Sequence, residues 1–185
     1  DVYKRQQLDI GFEQQHGAWN TWASAYAGLI NDFILVRYNA PNASQMYPLA
    51  NNVDATIAGA EAGVGYQFNE HLQADLSAMY AWGENTTDNK PLPQIAPLEG
   101  RLNLRYVQEK YSLGLLWRAV AEQNRISLND GNIVGYDMGK SKAFSTLAMN
   151  ATYKYSEALD FSVGIDNLLD KAYSEHLNKS GAALF

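Results

Sequence analysis

The chain has 185 residues, enough for one domain, and a net charge of -6, which argues against nucleic acid as a partner. It has no cysteine, so disulfide frameworks and thiolate metal sites are excluded. Hydrophobic residues make up 46% of it, yet no run reaches the roughly 18 apolar residues of a membrane helix. A membrane protein built from strands stays open, because such strands hide their apolarity by alternation.

Taken in chain order, Asp1–Gln6 reads Asp-Val-Tyr-Lys-Arg-Gln. GAT-GTG-TAT-AAG-AGA-CAG encodes that hexapeptide, and it resembles a transposon-end adapter used in sequencing libraries. Residues 1–6 are therefore set aside as a scar, and 7–185 carry the fold. No signal peptide is visible, which implies a natural N-terminus upstream.

Eight strands follow. Leu8, Ile10 and Phe12 alternate with Asp9, Gly11 and Glu13. Trp22–Ile34 is strand-like, with poorly separated faces. In Val53–Phe68 the apolar set is Ala58, Ala60, Ala62, Val64, Tyr66 and Phe68, opposed by Glu61, Gly63, Gly65 and Gln67. Along Leu72–Gly83, Leu72, Ala74, Leu76, Ala78, Tyr80 and Trp82 share one face, and Gln73, Asp75 and Ser77 the other. A period of two held this long is a strand. Its apolar face ends in aromatics, as in a strand between lipid and a wet lumen.

Leu98–Tyr106 sets Leu98, Leu102, Leu104 and Tyr106 against Glu99, Arg101, Asn103 and Arg105. Tyr111–Glu122 sets Leu113, Leu115, Trp117 and Ala119 against Ser112, Gly114 and Arg118. Ala143–Tyr155 sets Leu147, Met149, Ala151, Tyr153 and Tyr155 against Thr146, Asn150, Thr152 and Lys154. Leu159–Ile165 sets Leu159, Phe161, Val163 and Ile165 against Asp160, Ser162 and Gly164.

Short connections at His16–Asn20, Asn69–His71, Val107–Lys110 and Ser156–Ala158 alternate with long ones at Arg37–Asn52, Glu84–Pro97 and Gln123–Lys142. Outer-membrane barrels segregate loop length this way, with tight periplasmic turns and long external loops. Tyr66, Phe68, Tyr106, Tyr111, Tyr153 and Tyr155 gather at the short-turn ends, as one side of an interfacial girdle would. The fold class is all-β: an up-and-down antiparallel meander of about eight strands, multi-pass in a bacterial outer membrane and in contact with its lipid.

Three stretches resemble TonB-dependent outer-membrane receptors. They are Leu92–Arg105 (L-P-Q-I-A-P-L-E-G-R-L-N-L-R), Ala58–Tyr66 around Gly59–Ala62 (G-A-E-A), and Gly164–His176 (G-I-D-N-L-L-D-K-A-Y-S-E-H). Ile30–Tyr38, Tyr80–Asn85 and Glu175–Phe185 are most similar to the TonB-dependent copper receptors. The resemblance implies one sector of a 22-stranded transmembrane barrel with a plugged lumen. It also implies a plug domain elsewhere in the same chain and a periplasmic TonB-type energy coupler reached through an N-terminal region. Neither plug nor coupling box is visible in this sequence. Asn178–Phe185 does not alternate as a closing strand would, so Phe185 reads as a break before the final strand.

Copper is the expected cargo, as a transported ion rather than a cofactor, with an iron chelate (siderophore) as second choice. Soft sulfur and imidazole suit copper. Only Met46, Met138 and His176 fall on the long-loop side, scattered and without ligand-like spacing, so they are weak candidates and no metal ligand is assigned. His16 and His71 lie in short turns, and Met149 falls on the lipid face. Glu61, Asp75, Glu99, Arg101, Arg105, Arg118, Lys154 and Asp160 are expected to face the lumen, where they would touch the plug or line water. They are read as a polar lining and not as catalytic carboxylates, so no enzyme activity is expected. Asp166–Asp170 lacks the glycine and spacing of a calcium loop and reads as a turn. Two readings of other classes stay open: a complete eight-stranded structural barrel, and a soluble lipocalin-like binder with its apolar face inward.

Overall fold

The computed structural model describes residues 4–38 and 48–177. Its strands are β1 (Lys4–His16), β2 (Trp19–Tyr38), β3 (Pro48–Gln67), β4 (Leu72–Asn85), β5 (Lys90–Pro91), β6 (Glu99–Val107), β7 (Tyr111–Val120), β8 (Asp130–Gly131), β9 (Phe144–Ser156) and β10 (Leu159–Ile165). They form one sheet in the order β1-β2-β3-β4-β6-β7-β9-β10, with β5 on β4 and β8 on β2. Every long strand runs antiparallel to its neighbour, so the chain is an up-and-down meander.

The eight strands read from alternation are the eight long ones. The differences lie at their ends. β2 and β3 each run to 20 residues, well past the 13 and 16 expected from alternation alone. Leu98, Glu122 and Ala143 fall outside their strands. β5 and β8 are two-residue pairings inside loops, too short to leave a periodic signal. Lys4, Arg5 and Gln6 pair with Asn31, Ile30 and Leu29. Met46 lies outside the described residues.

Directly opposed residues in an antiparallel ladder share a face. Following the register from Val64 gives Leu76, Leu102, Trp117 and Leu147 on one face. From Ala74 it gives Leu104, Leu115, Met149 and Ile165 on that same apolar face. The other face follows from Ser24 through Glu61 and Met79 to Glu99. At the short-turn end the rings touch: Trp19 and Tyr66 have centroids 4.4 Å apart, Tyr66 and Phe68 4.8 Å, and Tyr106 and Tyr111 6.1 Å. Those contacts join rings across β2–β3 and across β6–β7, in two patches at the same end of the sheet.

The poorly separated faces of β2 follow from its register. Ile30 opposes Ala55, but Phe33 opposes Val53, so Asn31 and Asp32 together face Asp54. This is a β-bulge, and it inverts the side-chain phase beyond it. Asp32 holds the left-handed conformation the bulge requires, with φ of 59°. The Asp54 carboxylate accepts from Asn31 Nδ2 and from the Asp32 backbone N–H, at 3.2 and 3.3 Å. Below the bulge, Trp22 and Tyr26 stand on the polar face. Their rings lie over Gly63 and Gly59, where a Cβ would meet them at 2.4 Å. Glycines there admit large aromatics to a face otherwise read as polar.

β1 and β10 are the two edges and do not pair with each other, so the sheet is open rather than a closed eight-stranded barrel. The apolar side chains of β1, with Leu8 73% and Ile10 71% exposed, are unburied. That is the reverse of a lipocalin-like interior.

Candidate functional site at the long-loop end

The long connections fold back over the polar face. The segment between β5 and β6 places Leu92 against Ile30 and Ala55, with Phe33, Ile57 and Ile95 packed around them. Gly83 makes this seat possible, since a Cβ there would meet the Leu92 Cβ at 2.9 Å and the Ile95 Cδ1 at 3.0 Å. The Leu92 N–H donates to the Gly83 carbonyl at 3.0 Å. The loop leaving β7 reaches further. Its β8 pairs Gly131 with Val36 and Asp130 with Arg37, on the edge of β2 beyond the pairing of its described β1 partners, which reaches Asn31. Since β2 stands four strands from β7, this loop roofs the polar face.

Under that roof is a charged network. Arg101 and Arg118 oppose each other across β6 and β7, a repulsive pairing. Glu99, nearly buried, relieves it by accepting from Arg101 Nε at 2.6 Å and from Arg118 at 2.7 Å. Arg118 also donates to both oxygens of Glu175, at 2.5 and 3.2 Å, a two-point guanidinium–carboxylate contact. The Arg118 guanidinium lies 5.3 Å from the centroid of Phe144, which stacks on Tyr173 at 4.4 Å. Glu175 and Tyr173 belong to the segment after β10, so two independent contacts fasten that segment to the sheet.

A second cluster surrounds Asp137, which is 1% exposed. Its Oδ1 accepts from Gln94 backbone N–H at 2.9 Å and Gln94 Nε2 at 3.1 Å, and its Oδ2 from Ser127 N–H at 2.9 Å. His176 Nε2 lies 3.6 Å from Oδ1, with its imidazole turned toward the carboxylate. Burial raises the Asp137 pKa, but the imidazole and the converging N–H donors outweigh it and hold the carboxyl below its ordinary range. Asp137 thus ties the β4–β6 loop, the β7–β9 loop and the segment after β10 into one body. Nearby, Arg37 pairs with Asp88, and Arg125 bonds Glu84 at 2.7 Å.

Of the charged residues expected on the polar face, only Glu99, Arg101 and Arg118 meet. Glu61 accepts from Ser24 at 3.1 Å, Asp75 from Gln73, Arg105 opposes Gly114, and Lys154 opposes Asp160. Met138, exposed, and His176, whose side chain is 3% exposed, line one pocket of about 570 Å³. Among the described residues, no group of three or more His, Cys, Asp or Glu is placed to hold a metal ion. His71 contacts the Val107 carbonyl at 3.0 Å in its turn. Sequence reasoning missed Asp137, Gln94, Glu175 and Phe144 as partners, because irregular loops carry no period that reports proximity.

A family model described as "TonB dependent receptor-like, beta-barrel" matches residues 3–168. Comparison with curated protein sequences gives no match. Among solved structures, the copper transporter OprC is 44% identical with a TM-score of 0.92, over 97% of this chain and 27% of its own. The FrpB iron transporter from Neisseria meningitidis is 20% identical with a TM-score of 0.68, over 95% and 28%. The siderophore receptor PirA from Acinetobacter baumannii is 15% identical with a TM-score of 0.73, over 98% and 30%. This chain therefore spans under a third of each, and the last two matches speak to fold alone. Alternating strands, an aromatic band, roofing loops and the family match together establish the conclusion. The chain belongs to the β-barrel of the TonB-dependent receptors, multi-pass proteins of the outer membrane and not enzymes.

Proposed function

We propose that this chain is a sector of the barrel of a receptor that imports copper, with binding and energised passage in place of bond chemistry. The observation that supports this reading is the 44% identity to a copper transporter sustained over 97% of the chain. The polar face would line the lumen against a plug domain of the same receptor, and a TonB-type coupler would supply the energy. The apolar face would meet lipid. The roofing loops would form part of the external mouth, while the metal ligands would lie outside this sector.

Cargo is tested in cells. Deleting the full receptor should lower cellular copper, measured by mass spectrometry under copper limitation, and re-expression should restore it. If copper content is unchanged and uptake of an iron chelate falls instead, the copper assignment is wrong.

A further inference from the structure

We propose that the pocket between the β7–β9 loop and the segment after β10 binds a multiply charged oxyanion, of phosphate or polycarboxylate type. Its rim carries Lys140, Lys142 and Lys171. None of the three forms an ion pair with another described residue, and all are exposed. In a chain of net charge -6, three uncompensated ammonium groups around one cavity call for an anion.

The lysines are positioned, not merely near. Lys140 and Lys142 flank Ser141, whose backbone exchanges two hydrogen bonds with Gln123, at 3.0 and 3.2 Å. Residues on either side of an extended position project to one side. Lys171 is held at both backbone groups: Asn167 Oδ1 accepts its N–H and Asn167 Nδ2 donates to its carbonyl, each at 3.0 Å. The turn residues that resemble a family signature thus fix a lysine.

The rest of the lining agrees. Glu175, the carboxylate in it, is already neutralised by Arg118. The stacked Phe144 and Tyr173 rings border the cavity. His176 also lines the cavity, but its Nε2 faces the Asp137 carboxylate at 3.6 Å, so the lysines carry the positive field. At about 570 Å³ the cavity accommodates an anion much larger than a single phosphate. The same field repels a bare metal cation, so this site is separate from any copper site, and the proposal stands whatever the cargo.

The anion could reach the pocket free in solution or as a phosphorylated lipid headgroup. The intact receptor, reconstituted in zwitterionic nanodiscs, is titrated with inorganic pyrophosphate by calorimetry. Binding should weaken about tenfold or more in Lys140→Gln/Lys142→Gln/Lys171→Gln, and it should weaken with added salt. Lys110→Gln, in a short turn at the opposite end, should bind like the unaltered receptor. Glutamine keeps much of each lysine's apolar stem, and heat-modifiable gel migration confirms that the barrel is folded. Nanodiscs doped with a bisphosphorylated lipid identify the source: competition with pyrophosphate means a headgroup, and its absence means a free anion. Failure of the unaltered receptor to bind pyrophosphate, or equal binding by the triple variant, overturns the proposal.

Discussion

At the scale of single residues, Asp137 is the most consequential position in the loops. Its lowered pKa fixes a sign. A carboxyl held below its unfolded value adds stability that is present above that value and is lost as pH falls through the folded one. The tie between loops should therefore hold from neutral pH to about pH 5 and loosen below about pH 4. Hydrogen exchange of the backbone around Ser127 and Gln94 in the full receptor reads this directly. Protection, corrected for the intrinsic pH dependence of exchange, that stays flat down to about pH 3 would contradict it. Asp137→Ala should raise exchange there at neutral pH, because three donors lose their acceptor at about 1 kcal/mol or more each. Gly63 offers a second test. Gly63→Val should cost about 1–3 kcal/mol, since its Cβ meets the Trp22 ring. That cost should shrink in a Trp22→Ala background, and additive losses in a double-mutant cycle would refute the stacking account.

At the scale of elements, legibility tracked burial geometry. β4, β6 and β7 were readable because alternation dominates each, despite Met79 and Leu116 on the polar face, and each opposes like faces on both sides. β2 was not, since its bulge at Asp32 reverses the phase, and since Trp22 and Tyr26 occupy the polar face over glycines. Pairing decides both, and no single strand's sequence displays it. The loops were legible only as long or short. That Leu92 and Ile95 form a core on the wall was hidden in a segment that looked merely external. Facing itself can be tested on β6. Leu104→Arg in the full receptor should cost about 2–4 kcal/mol near the bilayer midplane. Asn103→Arg, one position along and on the other face, should cost much less. Comparable losses in folding titrations into lipid vesicles would count against the assignment.

At the scale of the whole molecule, the open sheet sets the behaviour of the isolated chain. Both edges present unpaired backbone, and one face is apolar. Expressed alone without detergent it should aggregate, and a monodisperse, cooperatively unfolding monomer by sedimentation and calorimetry would be incompatible with this account. In the full receptor, replacing Met46, Met138 and His176 together should leave most copper binding intact. Met138 and His176 line one pocket, yet His176 faces Asp137 and the described residues offer no three-ligand cluster. A loss beyond about tenfold, roughly 1.4 kcal/mol, would place ligands in this sector after all.

The unequal strand lengths have a topographic consequence. All short turns lie at one end, so the height of the wall at the other is set by residue count: 20 for β2 and β3, 14 for β4, 9 and 10 for β6 and β7. Twenty tilted residues climb about 45–50 Å, whereas the apolar band of an outer-membrane barrel is about 25 Å tall. The rim is thus a one-sided parapet, high at β2–β3 and nearly flush at β6–β7. An antibody or phage approaching this sector would meet that parapet first, with the roof moored near its crest at Val36 and Arg37.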